Sequence, residues 1–170
     1  MLWEACSGAA KRETGVSEEI HHRVICVRLA SFEAIIGALH GAEVRYLIAG
    51  GLAVGAHGYL RYTRNMDLVV RLAADNIERL FAALHSLGYR PGTPVTAEQF
   101  ADEAAREHWI GQNGAALLGF GSDRQRETPV DVFATEPFCF EDEYGKALVK
   151  PLHGTIPVRD ARRTWKTRDN

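Results

Sequence analysis

Residues 46–70 read YLIAGGLAVGAHGYLRYTRNMDLVV, and the fold turns on how they are divided. Val44–Ala49 is rich in β-branched and aromatic residues, which predicts a strand running straight into Gly50-Gly51. Leu52–Gly58 is small and apolar, which suits a short buried helix starting at the glycines. Met66–Arg71 predicts a second strand. Strand side chains alternate, so Asn65, Asp67 and Val69 share one face while Met66, Leu68 and Val70 share the other. The polar pair therefore projects from the strand's start as the apolar set enters the core. Glycines between a strand and a helix let the backbone approach a phosphate closely. A Gly-Gly turn is also a common packing device, and a polar strand entry can simply be solvated.

Outward from this stretch the helical pattern is clear on both sides. Ser31 is placed to cap a helix whose apolar face is Phe32, Ile35, Ile36 and Leu39, with Gly41 as the stop. Residues 17–30 fit a helix or a strand, and residues 1–16 read as a loose arm. Asp75 is placed to cap a second helix, with Ile77, Leu80, Phe81, Leu84 and Leu87 on one face. Glu78 stands at its capping-box position and Gly88 at its end. Pro91 and Pro94 mark a loop. Thr96 and Gln99 form another capping box, before a helix lined by Phe100, Ala101, Ala104, Ala105 and Trp109. Ala115–Gly121 and Pro129–Ala134 predict an antiparallel hairpin across the charged turn Ser122–Thr128. A short helix over Glu141–Leu148 and a strand over Thr155–Val158 close the pattern. The expected class is α+β: a mixed β-sheet with helices packed on it. The expected division is an N-terminal arm with an uncertain helix (1–30), one domain (31–158) and a basic tail (159–170).

Composition narrows the function classes. The 170 residues suit one domain, and 46% hydrophobic with 25% charged residues is globular composition. A net charge of -2 argues against bulk DNA binding, which needs a strong basic excess, but not against a small phosphate-gripping site. That charge is unevenly spread: residues 159–170 carry +3 and residues 1–158 carry -5. No apolar run approaches the roughly 20 residues of a membrane span, and the N-terminus lacks a signal-peptide core. Cys6, Cys26 and Cys139 are widely spaced with no CxxC pair, so idle thiols in a reducing cytoplasm are expected. The adjacent His21 and His22 read as surface residues.

Asp131, in Pro129-Val130-Asp131-Val132-Phe133, is the remaining chemical signal. A carboxylate among β-branched strand residues is disfavoured unless paired, metal-bound or facing water. Taken in order, the strand with Gly50-Gly51, Asp67 on the next strand and Asp131 on a later one resemble the DNA-polymerase-β-type nucleotidyltransferase superfamily. The stretches NIERLFAALHSLGYRP (76–91) and TPVDVF (128–133) add to this. The likeness is to small bacterial members related to the AbiEii-like toxin nucleotidyltransferases, over about Phe32 to Val158. It implies the nucleotidyltransferase (polymerase-β-like) fold and Mg²⁺-dependent transfer of a nucleoside monophosphate from an NTP to a hydroxyl. The acceptor would be RNA (tRNA included) or protein, with an antitoxin as partner. It further implies Gly50 and Gly51 as the phosphate turn, with Arg61 and Thr63 as phosphate contacts. Asn65, Asp67 and Asp131 would be the metal ligands, Asp67 shared by both ions and Asp131 the base nearest the attacking hydroxyl.

Two features depart from that pattern. Asn65 stands where the family has Asp. Two carboxylates about 4 Å apart repel by roughly 4 kcal/mol at an effective dielectric near 20, so Asn relieves repulsion and removes a reason to bind metal. The second departure is the stretch after Val158, which has one large apolar residue where relatives continue into an amphipathic helix. Both favour an alternative: a catalytically degenerate nucleotidyltransferase fold that binds nucleotide or a partner without turnover. A third reading is modification of a small hydroxylated drug.

Overall fold

The computed structural model describes residues 29–56, 63–114, 116–152 and 156–160. Its elements are α1 (Leu29–Gly41), β1 (Tyr46–Ala49), α2 (Gly50–Ala56), β2 (Met66–Val70), α3 (Ala74–Ser86), β3 (Tyr89–Pro91) and α4 (Ala97–Ala101). They continue as α5 (Glu103–Asn113), β4 (Leu117–Ser122), β5 (Val130–Phe133), α6 (Phe140–Lys146), β6 (Leu148–Leu152) and β7 (Ile156–Asp160). The strands form one sheet in the order β3-β4-β5-β2-β1-β7-β6. β2 is antiparallel to β1 and parallel to β5, while β4 is antiparallel to both β5 and β3. β1 runs parallel to β7, which pairs antiparallel with β6. This is the mixed sheet of an α+β protein. Among the described residues no helix is long and apolar enough to cross a membrane.

The period-2 pattern of the strands fixes two unlike faces. One face presents Tyr46, Ile48, Met66, Leu68, Val70, Leu118, Phe120, Val130 and Val132. It is covered by Phe32, Ile35, Ile36 and Leu39 of α1, Ile77, Leu80 and Leu84 of α3, and Phe100 of α4. These are the helix faces expected from sequence, and burying each large side chain stabilises by about 1.5–3 kcal/mol. The opposite face is covered only in part. Leu47, Ala49 and Val69 pack there with Phe140 of α6, flanked by Phe133, Phe138 and Tyr144. A polar clamp anchors α6 at the far end of β1. Both terminal nitrogens of Arg45 donate to the Glu141 carboxylate, at 2.8 and 2.7 Å. The Arg45 guanidinium also lies 4.5 Å from the Tyr144 ring centroid. Those hydrogen bonds hold the Glu141 carboxyl below its usual range and push the Arg45 guanidinium up.

Several local expectations are corrected. α1 is already helical at Leu29, so Ser31 lies inside it and is not its cap. α3 starts at Ala74 with Ala73 as an N-cap that makes no side-chain hydrogen bond. Asp75 instead pairs with Arg79 one turn on, at 2.9 Å. Glu78 therefore completes no capping box. The residue that matters there is Asn76, fully buried: its Oδ1 accepts from Arg45 N at 2.8 Å. Its Nδ2 donates to the carbonyls of Arg45 and Arg71, at 3.0 and 2.9 Å. It thereby ties the start of β1 to the end of β2. Pro91 ends an edge strand, where its missing N–H costs nothing. The Thr96–Gln99 capping box forms as expected. The helix after it breaks at Asp102, which caps α5 by accepting from Ala105 N at 2.7 Å. Ala104 consequently faces solvent. The hairpin of β4 and β5 forms, and β6 is an additional strand. The expected divisions at 30/31 and 158/159 fall inside α1 and β7. Residues 1–28, with Cys6, Cys26, His21 and His22, and residues 161–170 of the tail lie outside the described residues; Cys139 is an exposed free thiol.

Candidate functional site at the open end of the sheet

β2 and β5 lie side by side, parallel, with Asp67 opposite Asp131. In-register neighbours share a face, so both carboxylates rise from the face away from the helical core. Ala49 stands opposite Asp67 on β1, and Gly119 opposite Asp131 on β4. The row Ala49, Asp67, Asp131, Gly119 thus sets two adjacent acids between two small residues. Asp67 and Asp131 are both half-buried.

The glycines make room for these side chains. Gly50 has φ +62°, and a Cβ there would lie 2.7 Å from Cγ of Asp67, with the carboxylate oxygen closer still. Only glycine combines that backbone with that approach. At Gly51 a Cβ would meet Cβ of Thr63 at 2.6 Å and its Oγ1 at 2.9 Å. Thr63 Oγ1 donates to the Asn65 carbonyl at 3.0 Å. Asn65 Nδ2 in turn donates to Asp131 Oδ2 at 2.5 Å. A Cβ at Gly119 would come within 3.2 Å of Asp131 Oδ1. Gly50, Gly51, Thr63, Asn65, Asp67 and Asp131 are therefore brought together, while Arg61 lies outside the described residues. The sequence reading missed Gly119. Its signal was a glycine inside a strand pattern, which marks a close approach by another group.

The Asn65 contact decides what the site can hold. Two neighbouring carboxylates repel. A metal-bound pair offsets this with a dication, whereas here the amide N–H group of Asn65 sits on Asp131. Asn65 thus turns a donor, and not its ligating oxygen, toward that acid. Among the described residues no group of three or more His, Cys, Asp or Glu side chains is arranged to hold a metal. Mg²⁺ is typically held by one or two carboxylates plus substrate phosphates. Asp67 and Asp131 fit one such ion arriving with a triphosphate. They do not fit a pair of ions held by protein ligands alone.

No family model and no curated relative matches the chain. Among solved structures, a chain described as a "putative nucleotidyltransferase from H. pylori" aligns at 14% identity with a TM-score of 0.35. The alignment covers 86% of the present chain and 55% of that one, so this chain spans about half of that protein.

Proposed function

We propose that Asp67, Asp131 and the Gly50-Gly51 turn form a nucleotidyltransferase-type site that takes a nucleoside triphosphate with Mg²⁺. In the reaction a hydroxyl oxygen of the acceptor bonds to the α-phosphorus of the NTP. The bond from that phosphorus to the bridging oxygen breaks and pyrophosphate leaves. The hydroxyl proton passes to Asp131, and Gly50 and Gly51 border the phosphates. Bound Mg²⁺ supplies charge neutralisation on the triphosphate. The observation that carries this reading is the register of Asp67 opposite Asp131 on the open sheet face, beside Gly50.

The Asn65–Asp131 hydrogen bond favours a second reading, in which nucleotide is bound and turnover is slow or lost. An amide-capped Asp131 is a poorer base and a poorer ligand than a free carboxylate. One experiment separates the two. The protein is incubated with Mg²⁺ and each labelled NTP, alone, with total tRNA and with a protein mixture. Asn65→Asp and Asp67→Asn are run beside it. Transfer by the wild type that Asp67→Asn abolishes supports the enzyme. Transfer gained only by Asn65→Asp supports the degenerate site. Absence of NTP binding by calorimetry with Mg²⁺ present overturns both.

A further inference from the structure

We infer that Thr63 is a positioning residue for Asp131, acting through Asn65, and not a phosphate contact. That role rests on the proposed function only in taking Asp131 as the group that meets the acceptor hydroxyl.

The hydroxyl proton of Thr63 is already committed. Thr63 Oγ1 donates to the Asn65 carbonyl, two residues on, at 3.0 Å. A hydroxyl has one proton to donate, and its lone pairs repel phosphate oxygens. To donate to a phosphate, Thr63 would have to release Asn65. Its Cβ and Oγ1 also fill the space a side chain at Gly51 would take, 2.6 and 2.9 Å from where that Cβ would lie. Thr63 is thus seated, half-buried, between the glycine turn and the entry of β2.

The bond that Thr63 makes helps to fix one peptide unit. The Asn65 carbonyl and the Met66 N–H belong to the same planar peptide group. Thr63 holds the carbonyl end, and the Met66 N–H donates to the Pro129 carbonyl at 2.9 Å. With both ends held the peptide cannot swing, and the direction in which the Asn65 side chain leaves the backbone is fixed with it. That direction matters because Asn65 works diagonally. Met66 lies opposite Val130, so Asn65 is level with Pro129, and its Nδ2 reaches two residues along β5 to Asp131 Oδ2. The other oxygen, Oδ1, lies where Gly119 leaves room, 3.2 Å from the position of a Cβ there. One oxygen of Asp131 is therefore oriented by a donor and the other admitted by a glycine. Two hydrogen bonds in line, Thr63 to Asn65 and Asn65 to Asp131, connect the glycine turn to the acid. Misplacing a reacting group by about 1 Å costs on the order of a hundredfold in rate, so the far end of that line counts.

The test reads the Asn65 side-chain amide by proton–nitrogen NMR of the full chain, without nucleotide or metal, assigned by its loss in Asn65→Asp. Thr63→Val keeps the branched shape and removes the hydroxyl. It should move the bonded amide proton toward its position in Asp131→Ala, where the acceptor is gone. Thr63→Ser keeps the hydroxyl and should restore the wild-type position. Thr63→Ala removes the same hydroxyl, with the same expected shift, if Thr63→Val does not fold. An unmoved amide proton in a folded variant lacking the hydroxyl overturns the inference. So does a Thr63→Ser spectrum matching Thr63→Val, since packing on Gly51 would then be what counts. Calorimetry with Mg²⁺ and NTP separates the two roles open to Thr63. Affinity should be unchanged in Thr63→Val, and a large loss would make Thr63 a phosphate contact and overturn the inference. In the labelled-transfer assay Thr63→Val should lower kcat about tenfold with KM unchanged. Absence of NTP binding by the wild type would overturn the proposed function alone, with the amide proton still deciding the link from Thr63 to Asp131.

Discussion

Asn65→Asp should make the fold depend on a divalent cation. The substitution changes one atom and keeps the volume, so packing is not at issue. It removes a hydrogen bond to a charged acceptor, at 2.5 Å, which contributes about 1.5–3 kcal/mol. It also introduces a carboxylate beside Asp131, where two charges about 4 Å apart repel by roughly 4 kcal/mol at an effective dielectric near 20. Both groups are half-buried and the new side chain can turn away, so the sum is reduced. A net loss of about 3–5 kcal/mol is expected, or roughly 6–20 °C in melting temperature for a chain of this size. The assay is thermal unfolding in chelator and again in Mg²⁺ or Mn²⁺. A cation at a hundredfold excess over its dissociation constant restores about 2.7 kcal/mol to the variant. Wild type should respond much less, because its amide already sits on Asp131. A variant as stable as wild type in chelator would refute the reasoning, as would equal stabilisation of both proteins by metal.

Other consequences follow from single contacts. Gly50→Ala imposes a left-handed backbone on alanine, costing about 1–2 kcal/mol, and its Cβ displaces the Asp67 carboxylate. Melting temperature should fall, and calorimetric Mg²⁺–NTP affinity should fall at least tenfold. Asn76→Ala strands the Arg45 N–H and two carbonyls in a fully buried site, so chemical denaturation should show a loss of about 2–4 kcal/mol. Burial raises the Tyr89 hydroxyl to about 12, and it donates to the Thr128 carbonyl at 2.7 Å. The folded state holds that proton more tightly than the unfolded chain. Its contribution is therefore complete below pH about 10 and lost between about 10 and 12. Tyr89→Phe should remove that part of the alkaline fall in stability. The depressed Glu141 carboxyl acts in the opposite sense. Its contribution is present above the ordinary carboxylate range and lost as pH falls through the lowered value, so Glu141→Gln should flatten the acid limb of the stability profile.

Much of the fold was legible because periodicity reports burial. The faces of α1 and α3 and the alternation in β2 and β5 are each set by one strip of neighbours, and the sequence displays that strip directly. Caps were less legible. Asp75 and Asn76 are both plausible helix-entry residues, and the choice between them was made by β1 and β2. The paired chain ends at Arg45 and Arg71 needed three hydrogen bonds, which a buried amide supplies and a carboxylate cannot. β3 and β6 were missed because short edge strands carry little apolar periodicity, and proline is allowed in them. At the site, Asp67 and Asp131 were found as signals on separate strands. Their register could not be read, since 63 residues and five other elements intervene.

The arrangement also explains why the acids sit at one end of their face. α6 covers the part of that face bearing Leu47 and Val69, with Arg45 and Glu141 holding it at the far end of β1. Toward the other end the strands carry Ala49, Asp67, Asp131 and Gly119 in one row, and no large side chain rises there to support a covering helix. Stability and chemistry are thereby divided along the strands. The apolar half stabilises the fold by burial. The row of small and acidic residues, with Ala49 buried and Asp67, Asp131 and Gly119 half-buried, leaves the room that the proposed site would use. Gly50, Gly51 and Gly119 belong to this division, since each gives the space of a missing side chain to Asp67, Thr63 or Asp131. A larger residue at any of them would fill the site from within, so the glycines are as much a part of it as the acids they admit.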